Sequence, residues 1–178
     1  WTHDWPAGQF ARCVQPYVDQ DTVLISTFGG VGARKVKVTK EGDQWKTDLV
    51  WEQKKFKPYY NDLVVSEGHA YGFDNNIFCS IDLANGKFDW KGPRFGCGQV
   101  LLLEKQKKLL VLSEAGEVVL LEANPKEPVE VARFKAIEGK TWNHPVVAHG
   151  KLFVRNGEEM ACFDVQPVTA EAAPKKSE

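Results

Sequence analysis

The sequence predicts an all-β fold, a β-propeller of four-stranded antiparallel blades, and three observations carry that prediction. Residues 86–122 read as short apolar runs rich in Val, Leu and Phe, broken by turn signals every eight to twelve residues. The pattern then repeats on either side. The acidic residue closing the third run (Asp82, Glu122, Asp164), the aromatic of the fourth (Trp5, Trp51, Trp90, Phe134) and the turn before the second (Gly68, Lys107, Gly150) all recur every 39 to 46 residues. A four-stranded blade has this length. The third observation is negative: the apolar spacing is not helical, which sets aside the helix-pair solenoids that share the period.

Taken in order, residues 1–5 (WTHDW) read as the fourth strand of a unit whose other strands are absent. The first whole unit has strands at 16–19, 21–28, 34–39 and 44–52, with a long FGGVGA loop before the third and Lys40-Glu41-Gly42-Asp43 turning into the fourth. Its third strand, RKVKVT, alternates as a half-exposed strand should. The second unit has strands at 61–67, 69–74, 77–83 and 87–90. Its Asn75-Asn76 and Asn85-Gly86 turns tolerate the positive φ of tight hairpins. The third has strands at 99–104, 108–114, 117–122 and 129–134, with Ala115-Gly116 as its central turn. The fourth has strands at 144–149, 151–156 and 160–165, with a turn at Gly157. Blades are therefore expected at about 16–52, 60–91, 98–134 and 144–165, with a terminal strand at 1–5 that either completes the fourth blade or belongs to another. Runs such as LLVLSE and VVLLE are apolar on both faces, as stacked blades require. Residues 166–178 carry too little apolar surface to order themselves and are expected to form a disordered tail.

Composition narrows the function. The 178 residues are 43% hydrophobic and 26% charged, with a net charge of −1, which offers no basic excess for nucleic acid or a membrane surface. No apolar run approaches the roughly 18 residues that span a bilayer, so direct membrane insertion is not expected. Cys13, Cys79, Cys97 and Cys162 lack Cys-x-x-Cys spacing, which removes the zinc-ribbon and thioredoxin readings. They are expected to be small buried hydrophobes, with a disulfide open to an exported protein. His3, His69, His144 and His149 share no metal-ligand spacing and are expected at surface turn edges. Gly29-Gly30-Val31-Gly32 joins two strands without opening a helix, so it is no phosphate loop.

In a propeller the connections into each first strand, and the turns between second and third strands, line one end of the central channel, where ligands bind. Here those connections carry Phe10 and Arg12; Lys57, Tyr59, Tyr60 and Asn61; Arg94; and Trp142, Asn143 and His144. Aromatic and basic side chains recurring at one point of the repeat suit a recessed site for a peptide, a glycan or an anionic group. Arg12, Tyr59, Tyr60, Asn61, Arg94, Trp142 and His144 are the candidate ligand-binding residues. The competing reading has Tyr60 and Trp142 wedged between blades and Arg94 paired with a carboxylate.

The segments 70–90 (AYGFDNNIFCSIDLANGKFDW), 109–123 (LLVLSEAGEVVLLEA) and 139–165 (GKTWNHPVVAHGKLFVRNGEEMACFDV) resemble the PQQ-like, quinoprotein-type propeller repeat of BamB-like proteins, in particular their C-terminal half. The resemblance covers residues 16–165. It implies a ring of seven or eight blades of which about four are present, a periplasmic or cell-envelope location, and a non-catalytic scaffold that binds a protein or saccharide. Open blade edges add self-association to the expected partners. The alternatives are a fragment of a PQQ-dependent dehydrogenase and a small lectin-like propeller. Quinoprotein dehydrogenases hold PQQ against two adjacent cysteines and bind Ca²⁺ with carboxylates. This sequence has no Cys-Cys pair, so no catalytic residue, metal or cofactor is expected from the residues in hand.

Overall fold

The computed structural model describes residues 1–6, 8–9 and 12–165, so that Phe10 and the tail expected at 166–178 lie outside the described residues. Within them, four antiparallel sheets follow one another along the chain. The first holds β1 (Tyr17–Asp19), β2 (Thr22–Thr27), β3 (Gly32–Glu41) and β4 (Gln44–Gln53). The second holds β5 (Val64–Ser66), β6 (His69–Asp74), β7 (Ile77–Asp82) and β8 (Phe88–Arg94). The third holds β9 (Gln99–Leu103), β10 (Lys108–Leu112), β11 (Glu117–Glu122) and β12 (Glu130–Lys135). The fourth has three strands, β13 (Val146–Ala148), β14 (Lys151–Arg155) and β15 (Met160–Asp164). Every strand pairs with its neighbours in sequence, so each blade is a meander.

Two local devices repeat. The turn between first and second strands pivots on a left-handed residue in all four blades: Gln20, Glu67, Lys107 and His149. In blades 2 and 4 a left-handed glycine follows, which gives the paired positive φ of a two-residue primed hairpin. The second device is a register shift between third and fourth strands, at Lys35/Val36, Ser80/Ile81 and Leu120/Leu121. A slip of one residue flips side chains to the other face. Leu49 and Phe88 therefore face one way, while Trp51 and Trp90, two residues later, face the next blade.

That flip builds the core. Trp51 Nε1 donates to Leu83 O of blade 2 at 3.0 Å, and Trp90 Nε1 to Asn124 O of blade 3 at 2.9 Å. Leu24, Ala33 and Trp51 pack on Ala70, Ile81 and Leu83 between blades 1 and 2. Tyr71, Phe73, Phe78 and Trp90 pack on Val100, Leu109 and Leu121 between blades 2 and 3. Leu110, Leu112 and Val118 meet Leu152 and Val154 between blades 3 and 4. Among the described residues no apolar cluster joins blade 4 back to blade 1, so the blades form an open arc.

Several expectations change. Ala132, opposite Leu120 beside the shift, takes the place that Trp51 and Trp90 hold; Phe134 sits two residues further on and meets Phe163 edge-on at 5.0 Å. Residues 1–5 are not a strand and do not complete blade 4. They lie against blade 1, where Thr47 Oγ1 donates to Thr2 O at 3.2 Å and Arg34 Nη1 to Asp4 O at 2.9 Å. Side chains of β3 and β4 thus hold the carbonyls that a sheet edge would have taken. Of the cysteines only Cys79 is a buried hydrophobe; Cys13 and Cys162 are exposed and Cys97 is half-buried. His69 is no free turn-edge residue: its Nδ1 lies 2.8 Å from Asp89, which also accepts from Ser80 Oγ at 2.7 Å. Ser80 is fully buried and bonds the acid, not the imidazole, so this is a structural tie and not a nucleophile with its base.

The glycine loop is shorter than expected, because β3 already begins at Gly32. Both Gly30 and Gly32 have positive φ, but a Cβ on Gly30 meets nothing within 4 Å, whereas one on Gly32 would lie 2.1 Å from Gln53 O. Gly30→Ala should therefore cost about 1 kcal/mol of backbone strain. Gly32→Ala must also displace the end of β4 and should cost about 3 kcal/mol. Denaturant melts of the two variants, side by side, check the difference.

Candidate functional site

The connections into the first strands converge at one end of the arc, on three polar side chains. Gln99 opens β9 with its carboxamide buried, at 3% exposure. Its Nε2 donates to Tyr60 O at 3.0 Å and Trp142 O at 3.1 Å, and its Oε1 accepts from the Asp62 N–H at 3.1 Å. Asn61, fully buried, accepts from the Tyr59 N–H at 2.8 Å and donates to Gly98 O at 2.9 Å. Asp62 reaches both ways: Oδ1 accepts from the Gln15 N–H at 3.0 Å, and Oδ2 lies 3.1 Å from His144 Nε2. Residues just ahead of all four first strands are thereby joined. A buried carboxamide with every polar atom paired fixes backbone position, because losing any partner exposes the full desolvation cost.

The pinned backbone carries a row of rings. Phe28, in the β2–β3 turn, meets Tyr59 edge-on at 4.8 Å. Tyr59 meets Tyr60 at 4.1 Å, and Tyr60 meets Trp142 at 5.5 Å. Lys140 Nζ stands 3.8 Å from the Trp142 ring centroid, a cation–π contact. Trp142 Nε1 donates to Glu114 Oε1 at 2.8 Å, and Glu114 Oε2 accepts from the Cys97 N–H at 3.0 Å. Beside the row opens a cavity of about 510 Å³, lined among others by Arg94, Phe95, Glu114, Glu117 and Lys140. The Tyr60 hydroxyl is pushed above its ordinary pKa, first by its hydrogen bond with Tyr59. Burial, then Glu114, pushes the Cys97 thiol up, so it is held as the thiol and not the nucleophilic thiolate.

Of the sequence candidates, Tyr59, Tyr60 and Trp142 come together in the row. Tyr60 is 41% exposed, so it is not wedged between blades. Asn61 is buried in the hydrogen-bond network, and His144, whose side chain is half-exposed, pairs with Asp62. Arg94 lies on the cavity rim and donates to the Asn76 carboxamide at 2.9 Å, not to a carboxylate. Arg12 is exposed and outside the row. Sequence reading missed Phe28, Asp62, Gln99, Glu114 and Lys140. Gln99 did leave a trace: a polar residue after Gly98, at the point where Asn61-Asp62 stands one unit earlier.

Neither any protein-family model nor any curated protein matches the sequence. Solved structures do match in fold. They include BamB from Moraxella catarrhalis, with a TM-score of 0.56 and 14% identity over 86% of this chain and 58% of that one. A putative 6-phosphogluconolactonase from Bacteroides uniformis gives a TM-score of 0.59 and 12% identity over 86% of this chain and 53% of that one. The computationally designed Ika8 protein gives 0.54 and 7% over 89% and 59%. At such identities the likeness shows a β-propeller-type fold alone. The chain spans a little over half the length of these structures.

Asp62 makes the site acid-sensitive. The His144 hydrogen bond, then the Gln15 N–H, holds its carboxyl below the ordinary 3.8 against the opposing effect of burial. A lowered folded pKa adds stability above the unfolded value, and that stability is lost as pH falls through the folded one. Melting temperature should therefore drop more steeply below pH 3.8 in the natural chain than in Asp62→Asn. Gln99→Ala, which strands Tyr60 O, Trp142 O and the Asp62 N–H, should cost about 2 kcal/mol at neutral pH. Thermal melts across pH check both.

Proposed function

We propose that the chain is a non-catalytic propeller scaffold of the cell envelope that holds an extended segment of a partner protein along the aromatic row. The observation that carries this reading is the run of four rings, Phe28, Tyr59, Tyr60 and Trp142, the last three on a backbone pinned by Gln99 and Asn61. A pre-ordered aromatic surface binds without the cost of ordering itself, and Tyr and Trp give large contact area for few torsions. At the adjoining cavity Glu117 is paired with Arg133 and Glu114 is held by Trp142 and the Cys97 N–H, so Lys140 and Arg94 favour a segment with an acidic group near its apolar side chains. The likeness in fold to BamB and the PQQ-like repeat pattern support the envelope location.

Geometry favours a peptide over a saccharide. Neighbouring rings are tilted by 40° to 65°, and Lys140 covers one face of Trp142. A pyranose needs a flat open ring face; peptide side chains fit between tilted rings. The quinoprotein reading gains nothing here. Among the described residues no three His, Cys, Asp or Glu side chains gather as a metal set. The half-buried Cys97 hydrogen-bonds Glu114 through its backbone and has no adjacent cysteine, so the residues present do not fit PQQ with Ca²⁺.

The test is a peptide array of aromatic and acidic 12-residue segments run beside a glycan array. Peptide signals should fall about 30-fold or more in Trp142→Ala and Tyr60→Ala, the loss that an aromatic anchor carries, while the glycan array stays silent. A glycan signal that disappears with Trp142 would overturn the peptide reading in favour of a lectin.

A further inference from the structure

We propose that two copies of this chain pair edge to edge through β4, antiparallel across a two-fold axis at Thr47. This goes beyond ligand binding at the aromatic row and does not depend on it. β4 is the outermost strand of blade 1, and its free edge points away from the propeller axis. Blades stacked on either face of the arc leave that edge open.

Two features set β4 apart from the outer strands of blades 2 and 3. It runs for 10 residues without glycine or proline, whereas β8 carries Gly92 and Pro93 and β12 has only 6 residues. A proline has no N–H to offer an added strand. The second feature is reach beyond the blade. The ladder of β2 on β3 ends at the Thr22–Lys37 pair, and the pairs Val38–Thr47, Thr39–Lys46, Lys40–Trp45 and Glu41–Gln44 continue as a ribbon of two strands. Two strands alone are marginally stable. β4 also leaves Trp45 and Leu49 54% and 51% exposed.

The backbone fixes which residues an added strand can use. Gly42, at a φ of 62°, opens a two-residue turn, and such a turn is closed by a hydrogen-bonded pair, here Glu41–Gln44. Bonding alternates from there. Gln44, Lys46 and Asp48 turn their backbone groups to β3, while Trp45, Thr47 and Leu49 turn theirs outward. Among the described residues no other strand or connection bonds to the backbone of those three. The Thr47 hydroxyl holds Thr2 O on the face of the sheet, which leaves the edge itself free.

A second β4 matches this edge. With Thr47 on the axis, outward-turned residues meet outward-turned residues, as a ladder requires. Trp45 then lies opposite Leu49 of the second copy, and Lys46 opposite its Asp48. The apolar pair falls on one face of the joined sheet and the charged pair on the other, and the two-fold repeats both. Within one copy Lys46 Nζ lies 3.3 Å from Asp48 Oδ2, with both side chains about half exposed. A lysine on an edge ordinarily repels an added strand; here the second copy brings the carboxylate that answers it. β12 lacks this symmetry, since a two-fold at Arg133 sets arginine against arginine and one at Ala132 sets Glu130 against Phe134. The register shift at Lys35/Val36 ends the regular edge after Leu49 and so confines the contact to residues 45–49. The β3–β4 turn lies at the other end of the blade from the turn that carries Phe28, so pairing leaves the aromatic row open.

The test is solution mass by size-exclusion with light scattering over a concentration series, on the 178-residue chain and three variants. The natural chain should run at twice 20.0 kDa. Lys46→Asp alone and Asp48→Lys alone each set like charges opposite one another on both sides of the axis and should weaken the dimer about tenfold. The exchange of the two, Lys46→Asp with Asp48→Lys, puts opposite charges back in register and should restore it. Both side chains are exposed in a single copy, so all three variants should keep a cooperative thermal melt. A natural chain that stays monomeric at tens of micromolar overturns the proposal. So does a dimer indifferent to the single reversals, which would associate through another surface, and so does one that the exchange fails to restore.

Discussion

The aromatic row depends on two buried carboxamides, Asn61 and Gln99. Neither could be removed from water without partners, and between them they satisfy backbone groups of Tyr59, Tyr60, Asp62, Gly98 and Trp142. The consequence is directional. Four of the five bonds run between the connections of different blades, and the Tyr59 N–H to Asn61 bond braces one connection internally, so these loops are fixed relative to one another. Tyr60 can stay exposed at the site because its main chain, not its ring, is what holds it.

A different constraint sets the stacking. A blade that contacts two neighbours needs apolar side chains on both faces, yet its fourth strand sits at the outside and must satisfy water as well. The register shift beside Trp51, Trp90 and Ala132 answers this by letting one short strand send residues both ways within three positions. Where the aromatic is absent, at Ala132, the groove between blades 3 and 4 is left partly unfilled, and Phe134 reaches across from further along the strand. The groove at this seam is thus traceable to one small residue at a wedge position.

Sequence reading recovered the blades because the signals are local: period-two runs, Asn and Gly turns and a bulky residue per unit all belong to one strand or hairpin. It placed Tyr59, Tyr60 and Trp142 at one end of the fold for the same reason, since that follows from where each falls in the repeat. It mistook residues 1–5, whose composition suits a strand, because strand formation also needs a free edge within reach. Arg34 and Thr47 take those carbonyls first. It also missed Gln99, Glu114 and Lys140, whose roles exist only across blades. Glu114 closes a β-turn by sequence but joins Trp142 to Cys97 in space. Phe134 stands two residues past the wedge position because of a bulge, which leaves no mark in composition.

The arc separates two kinds of exposed apolar surface. Val146, Phe153 and Met160 lie on a sheet face, in the direction along which blades stack, so any added blade buries them. The row from Phe28 to Trp142 lies on turns and connections at the end of the strands, perpendicular to that direction. A blade stacked on that face would take the first surface from water and leave the second untouched. The backbone of the row from Tyr59 to Trp142 is pinned by Asn61 and Gln99, so the cost of ordering it is met before any ligand arrives.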